Sequence, residues 1–434
     1  MKQTITWRTV LIAVVLLNVI VLTFLVTGRP LPSRLAGLLA SVSTDRWVAM
    51  NPASPPFDSA RQEPTGTLLL VNDEATENPS LQPGTLVGLD GARDASRTVH
   101  LPAGFAMSVL ATGLSAPRFM AFDSQGNLLV AAQSGSVYRY AAASDGSIPP
   151  AAEAPKPLIG GLNRPSSLAF QGGYLYVGET SQISRYAYDP RGDVGNAEVA
   201  VPDLPVGGHN TRTVEFAPDG SLFVSVGSSC DICIERDERR AAVIRYAPDG
   251  TNGQRFAWGL RNAVGLAFHP VTGKLWATVN ERDNQGNEVP PDLVTAVGPG
   301  EDFGWPACQP PDAKLQTPDA SCSGITPPTV GIQAHSAPLG LAFYTGSAFP
   351  SSFHGDLFVA QHGSSIRQPP VAPKILRIRF EDGLPTAAED FATGWQRRDG
   401  SRWGRPAGVI VAPDGSLIVS DDTDGVLYRI AYTG

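Results

Sequence analysis

Between residues 101 and 434 the chain returns six times to one pattern. Each copy has a small or proline-bearing approach, an apolar strand, a turn, a second apolar strand, and often a third strand bearing an aromatic or arginine. "GLSAPRFMAFDSQGNLLVAAQSGSVYRY" and "WGRPAGVIVAPDGSLIVSDDTDGVLYRIAY" are the first and last copies. The copies recur every roughly 40 to 75 residues, the spacing of propeller blades with insertions. One such unit cannot bury both faces of its own sheet. Set radially, each face packs on the next blade and only short edges remain. The expected fold is therefore all-β: a six-bladed β-propeller over residues 101–434. In the third copy, Val214, Phe216, Leu222, Val224 and Val226 follow the two-residue period of a hairpin, and "PDGS" supplies its turn.

Composition agrees with many short strands: of 434 residues, 45 are Gly and 38 are Pro. A formal net charge of -8 argues against a nucleic-acid partner.

The N-terminal segment reads differently. "VLIAVVLLNVIVLTFLV" (10–26) follows Lys2 and Arg8, approaches the length of a spanning helix, and is followed by no small-residue cleavage site. Residues 1–27 are expected to form an uncleaved transmembrane helix. Residues 28–100, rich in Pro and Ser, read as a partly structured tether in which "TGTLLLVND" is a lone strand. Arg29 and Arg34 nearly balance the charge across the span. The four cysteines suit two bridges, Cys230 with Cys233 and Cys308 with Cys322, and favour a propeller on the periplasmic or extracellular side. Reduced thiols and a zinc site are the alternatives.

Function in a propeller gathers in loops at one end of the channel. Ahead of first strands stand His209, Arg261 with Asn262, and Arg405; after second strands come "NERDNQGNEVPPD", "QHGSSIRQ" and "DDTD". Cations there suit an anionic ligand, and oxygens a hard metal. The bland readings are a solvated histidine, a solvated acidic loop and a turn at "DDTD".

Taken in order, "GHNTRTVEFAPDGSLFVSVG", "GLRNAVGLAFHP", "GKLWATVNERDNQGNEVPPDLV", "EDFGWP", "HGDLFVAQHGS" and "GRPAGVIVAPDGSLIVSDD" resemble the PQQ-dependent aldose, glucose and sorbosone dehydrogenases, the sorbosone branch most. The resemblance covers 101–432. It implies a six-bladed propeller that oxidises a sugar, an aldose or a sorbosone-like aldehyde, by hydride transfer to PQQ (pyrroloquinoline quinone). It implies that His209 is the general base, that Arg261 sits over the charge developing on the cofactor, and that Asn262 bonds the quinone edge. Arg405 would pair with cofactor carboxylates, with Arg367 and Lys374 as further basic contacts. Ca²⁺ would lie on the carbonyls of Arg282 and Asp283, supported by Glu281 or Asp292. Electrons would pass to a membrane quinone or a cytochrome. Ser228, Ala407 and Leu162 stand where glucose-type members carry an acid, a second arginine and a glutamine. A calcium-dependent lactonase-type hydrolase and a non-catalytic cell-surface binding propeller are the rival readings.

Overall fold

The computed structural model describes residues 69–70, 78–308, 322, 324–364 and 366–434. Among these residues the chain forms six β-sheets arranged as the blades of a propeller. Blade 1 holds Pro117–Phe122, Leu128–Ala132 and Ser136–Tyr140. Blade 2 runs from Ser167–Gln171 to Val194–Val201, and blade 3 from Arg212–Phe216 to Gln254–Trp258. Blade 4 begins at Ala263–Phe268, blade 5 at Pro338–Phe343 and blade 6 at Pro406–Val411.

The second strand of each blade explains the packing. Leu128–Ala132, Leu222–Val226, Leu275–Val279, Leu357–Gln361 and Leu417–Asp421 are buried at every residue. The hairpin expected for 214–226 is present, with Val214 opposite Val224 and Phe216 opposite Leu222, and its second strand is buried at every residue because neighbouring blades cover both faces. Leu222, Val224 and Val226 join the apolar layer between blades 2 and 3. Phe223, pointing the other way, joins the layer between blades 3 and 4. Six such layers succeed one another round the ring. Each fully buried Leu, Ile or Val in them stabilises the fold by about 1.5–3 kcal/mol. The turn at Gly220 has φ +83°, which glycine adopts without strain.

Blade 6 closes the ring. Its outer strand is Phe105–Ala111, from the start of the propeller, hydrogen-bonded antiparallel to Val426–Tyr432 from its end. A hairpin, Gln82–Val87 and Arg93–Leu101, extends that same sheet. The stretch read as tether therefore carries sheet structure up to Leu101. Leu69–Leu70, within the expected lone strand, instead pairs in parallel with Val330–Ile332 of blade 4. The apolar run 10–26 lies outside the described residues. Among the described residues no helix is long and apolar enough to cross a membrane.

Candidate active site

Each functional loop enters a first strand or leaves a second one, and both positions lie at the same end of a blade. Arg212 pairs with Val226, so His209 and Ser228 face each other just beyond that pair. Ala263 pairs with Val279, which sets Arg261 and Asn262 beside Asn280 and Glu281. Pro406 pairs with Asp421, which brings Arg405 beside the 421–424 turn.

Two glycines and two arginines shape the His209 loop. Gly208 has φ +63°, and a Cβ there would meet the Ser228 carbonyl and the Ser229 backbone at 2.5 Å. Only glycine lets the loop lie this close to its neighbour. Arg212, fully buried, donates to the carbonyls of His209 at 3.0 Å, Thr211 at 2.7 Å and Pro205 at 2.5 Å. Arg240 donates to the carbonyls of Gly207, Gly227 and Val206. Gly208→Ala is expected to destabilise the protein by about 1–3 kcal/mol and displace the histidine. Thermal melting and turnover measured on one preparation check both effects.

Ser228 answers what aims the imidazole. The Nδ1 atom of His209 lies 3.0 Å from both the carbonyl and the hydroxyl of Ser228. A carbonyl only accepts, and the hydroxyl donates its own proton to the Cys230 carbonyl at 2.6 Å. Nδ1 therefore carries the hydrogen and Nε2 keeps its lone pair. Burial first, then the positive charge of Arg261, holds the His209 pKa below its ordinary value. The result is a neutral imidazole with a basic Nε2, as a general base requires.

Arg261 is buried and multiply held. It donates to the carbonyls of Asp231, Asn280 and Glu281, and pairs with Asp231 at 2.9 Å and Asp283 at 3.1 Å. Gly227 lies between His209 and Asn262: a Cβ on it would meet His209 Cβ at 2.6 Å and collide with Asn262 Oδ1. That buried Oδ1 has no hydrogen-bond partner among the described residues.

Arg405 belongs to a second group, on blades 5, 6 and 1. Its guanidinium donates to the carbonyls of His362 at 2.9 Å and Gly363 at 2.5 Å, and no carboxylate among the described residues pairs with it. Beside it, Asp422 accepts from His362 Nε2 at 2.8 Å and pairs with Arg118 at 2.7 Å. These bonds and the nearby arginine outweigh burial and hold the Asp422 pKa well below the carboxylate range. "DDTD" is thus more than a turn: Asp424 also pairs with Arg97 of the added hairpin at 2.6 Å.

The other expected site residues are committed elsewhere. Lys374 is buried in blade 5 against Asp390 at 2.8 Å, outside both groups, because its strand position points it along the sheet to the neighbouring strand. Arg367 pairs with Glu288 at 2.6 Å on the rim. Arg282 donates to the Pro306 and Cys308 carbonyls. Asp292 accepts the backbone N–H groups of Glu281 and Ala337, each at 2.8 Å. Burial raises the Glu281 carboxyl to about 7 and the Asp292 carboxyl to about 6. Glu281, Asp283 and Asp292 do not converge as side-chain ligands. Among the described residues, the one group of three within metal-ligating reach of one another is Cys230, Cys233 and Glu235. Its cysteines form a disulfide, as do Cys308 and Cys322, which removes the zinc and free-thiol readings.

Whether this end of the propeller suits PQQ and Ca²⁺ rests on uncommitted groups. Arg405, hydrogen-bonded to carbonyls and in no ion pair among the described residues, offers its cation to a carboxylate, and the buried Asn262 Oδ1, with no donor among the described residues, can accept one from a bound group. The carbonyls of Arg282 and Asp283 accept no hydrogen bond among the described residues, leaving hard oxygens for Ca²⁺. The residues fit both groups. Ala407 is buried with Val264 and Leu339, so that position is apolar packing without room for a second guanidinium. Leu162 packs on the layer between blades 1 and 2.

Fold and site define a six-bladed propeller whose channel mouth carries a neutral, oriented histidine among arginines. Residues 99–306 and 300–433 match the TrAA12-like family model, and the chain belongs to that family. It is 25% identical over 387 residues to the pyrroloquinoline quinone-dependent sugar dehydrogenase of Hypocrea jecorina, covering 75% of this chain and 87% of that one. The holo PQQ domain of pyranose dehydrogenase from Coprinopsis cinerea superposes with TM-score 0.69 at 22% identity, over 80% of this chain and 100% of that domain. A calcium structure of the Trichoderma reesei Carbohydrate-Active Enzymes Family AA12 protein superposes with TM-score 0.66 at 22% identity, over 83% and 100%. Members of the family are PQQ-dependent sugar dehydrogenases, and this chain is an oxidoreductase of that kind.

Proposed function

We propose that this protein oxidises the anomeric hydroxyl of an aldose, or the hydrated aldehyde of a sorbosone-like sugar, with PQQ and Ca²⁺. The observation that carries the reading is the fixed tautomer of His209, with Nδ1–H on Ser228 and Nε2 free to take a proton. Bound PQQ supplies a two-electron oxidant for a hydride, and Ca²⁺ a Lewis acid beside it. His209 Nε2 takes the hydroxyl proton, which raises alkoxide character at the reacting carbon. Arg261, held rigidly by carbonyls and carboxylates, presents positive charge where negative charge develops. Arg405 and Asn262 hold the cofactor, and the backbone oxygens of Arg282 and Asp283 hold the metal. A lactonase-type hydrolase would need several carboxylate or amide side chains on one central metal; the arrangement around Glu281, Asp283 and Asp292 speaks against it.

The run 10–26 is proposed as a membrane anchor, with the propeller on the periplasmic or extracellular side, near a quinone or cytochrome acceptor. The two disulfides support an oxidising compartment.

The full chain, given PQQ and Ca²⁺, should reduce an artificial electron acceptor with one or more aldoses. No bound-cofactor spectrum and no acceptor reduction would overturn the reading. The pH profile is a further check. A base whose pKa lies below the ordinary histidine value stays neutral at lower pH, so the acid limb of kcat/KM should fall below 6.5. A limb at or above that value would contradict the environment assigned to His209.

A further inference from the structure

The segment from Ser228 to Cys233 is a short loop closed by the Cys230–Cys233 disulfide. It touches both halves of the His209–Arg261 group. At one end, the Ser228 carbonyl and hydroxyl take the His209 Nδ1–H, and the hydroxyl is turned by the Cys230 carbonyl. Between the two cysteines, the Asp231 carboxylate pairs with Arg261 and accepts the Asp283 N–H at 2.8 Å. The Asp231 carbonyl accepts from Arg261 Nε at 3.2 Å and from the indole N–H of Trp305 at 3.0 Å. Beyond these bonds, the Glu235 carboxylate accepts the Ser229 N–H at 2.5 Å and its hydroxyl at 2.8 Å, while Cys230 and Cys233 are part-buried and Ile232 and Ile234 project into solvent.

We propose that this disulfide-closed loop is the positioning element of the active site, with Ser228 and Asp231 as positioning residues acting through His209 and Arg261. Ser228 is fixed by its own N–H to the Arg261 carbonyl and by the His209 N–H to its carbonyl, but without the cross-link the Cys230 carbonyl that turns its hydroxyl and the Asp231 carboxylate would each sample many directions. The cross-link removes that freedom from both at once. The loop does the work of a single orienting acid for the histidine, but with neutral acceptors. The charged groups facing the imidazole are then Arg261 and Arg240, opposed by Asp283.

The inference rests on the function proposed above, and its test is separable from it. In the cofactor-free full chain, ¹⁵N-histidine spectra should show His209 as the Nδ1–H tautomer. The C230S/C233S double variant should melt near the wild type, show a mixed His209 tautomer, and lose on the order of tenfold in kcat with sugar KM little changed. Asp231→Asn, which keeps the fold and the disulfide, should lose a similar factor in kcat, and Asp231→Glu should recover part of it. Ser228→Asp should move the acid limb of the pH profile upward, because a carboxylate beside Nδ1 favours the imidazolium. An unchanged tautomer together with kcat within twofold of wild type in both the double variant and Asp231→Asn would overturn the proposal. Absence of sugar oxidation by the wild type would overturn the proposed function alone, because the tautomer measurement needs neither cofactor nor sugar.

Discussion

His209→Ala is expected to lower turnover on the order of a hundredfold or more while PQQ still binds. The expectation follows from what the side chain touches. Among the described residues the His209 ring hydrogen-bonds to Ser228 alone, and the carbonyl that Arg212 uses belongs to its backbone. Truncation therefore leaves the stapled loop, Arg261 and Arg405 as they are. Cofactor titration followed by absorbance should match the wild type, as should the melting temperature, while kcat falls and sugar KM changes little. The acid limb of the pH profile should vanish with the imidazole. Unchanged turnover would remove His209 from the chemistry.

Arg212→Met is expected to have the largest effect on stability of any single change near the site. The side chain is fully buried and satisfies three carbonyls of the loop that carries His209. Burial and the neighbouring Arg240 push its pKa down to about 10, which still leaves it charged at neutral pH. Methionine fills a similar volume but leaves three part-buried acceptors without that donor, at up to about 1–3 kcal/mol each. Release of a buried cation returns part of that cost. The net loss should be on the order of 3 kcal/mol, readable in denaturant melts. Because the freed carbonyls include that of His209, kcat should drop as well. Stability within 0.5 kcal/mol of the wild type would show that the loop holds itself.

The propeller was legible because its strands and turns repeat. Approaches such as "GLSAP", "GLNRP" and "WGRP" precede apolar strands that recur six times, and six inter-blade layers follow from that periodicity. His209, Arg261, Asn262 and Arg405 were legible for the same reason: they interrupt the repeat at the channel mouth. Arg212 and Arg240 were not, because each stands at the edge of an apolar strand and its work is done on backbone carbonyls, which leave no trace in side-chain pattern. Ser228 read as a missing acid, yet it orients the imidazole through oxygens that only accept at Nδ1. Asp231 was hidden inside "CDIC", where the cysteines drew the reading toward a disulfide rather than the residue between them. The 82–101 hairpin was missed because most of its residues face solvent and only a few, such as Leu86 and Val99, carry the buried signal. Lys374 shows the converse hazard: a basic residue close in sequence to the site loop is spent on a neighbouring strand.

The shared last blade has a consequence for how the molecule is made and how it bears force. The strand Phe105–Ala111 leaves the ribosome first among the propeller strands, and its partner Val426–Tyr432 leaves last. Until synthesis ends, the opening strand has only the hairpin strand Gln82–Val87 beside it and lacks its antiparallel partner, so ring closure is the final event and joins residues more than 300 positions apart, a slow kind of pairing. Once closed, the ring has its seam in blade 6, where the hairpin 82–101 is also laid on. Tension applied through the N-terminal segment would meet the Leu69–Leu70 strand on blade 4 first and the blade 6 seam directly after it. The salt bridge from Arg97 to Asp424 clamps the hairpin to the turn that also holds Arg118 and His362, so a pull on the leading segment would be felt at the mouth of the channel.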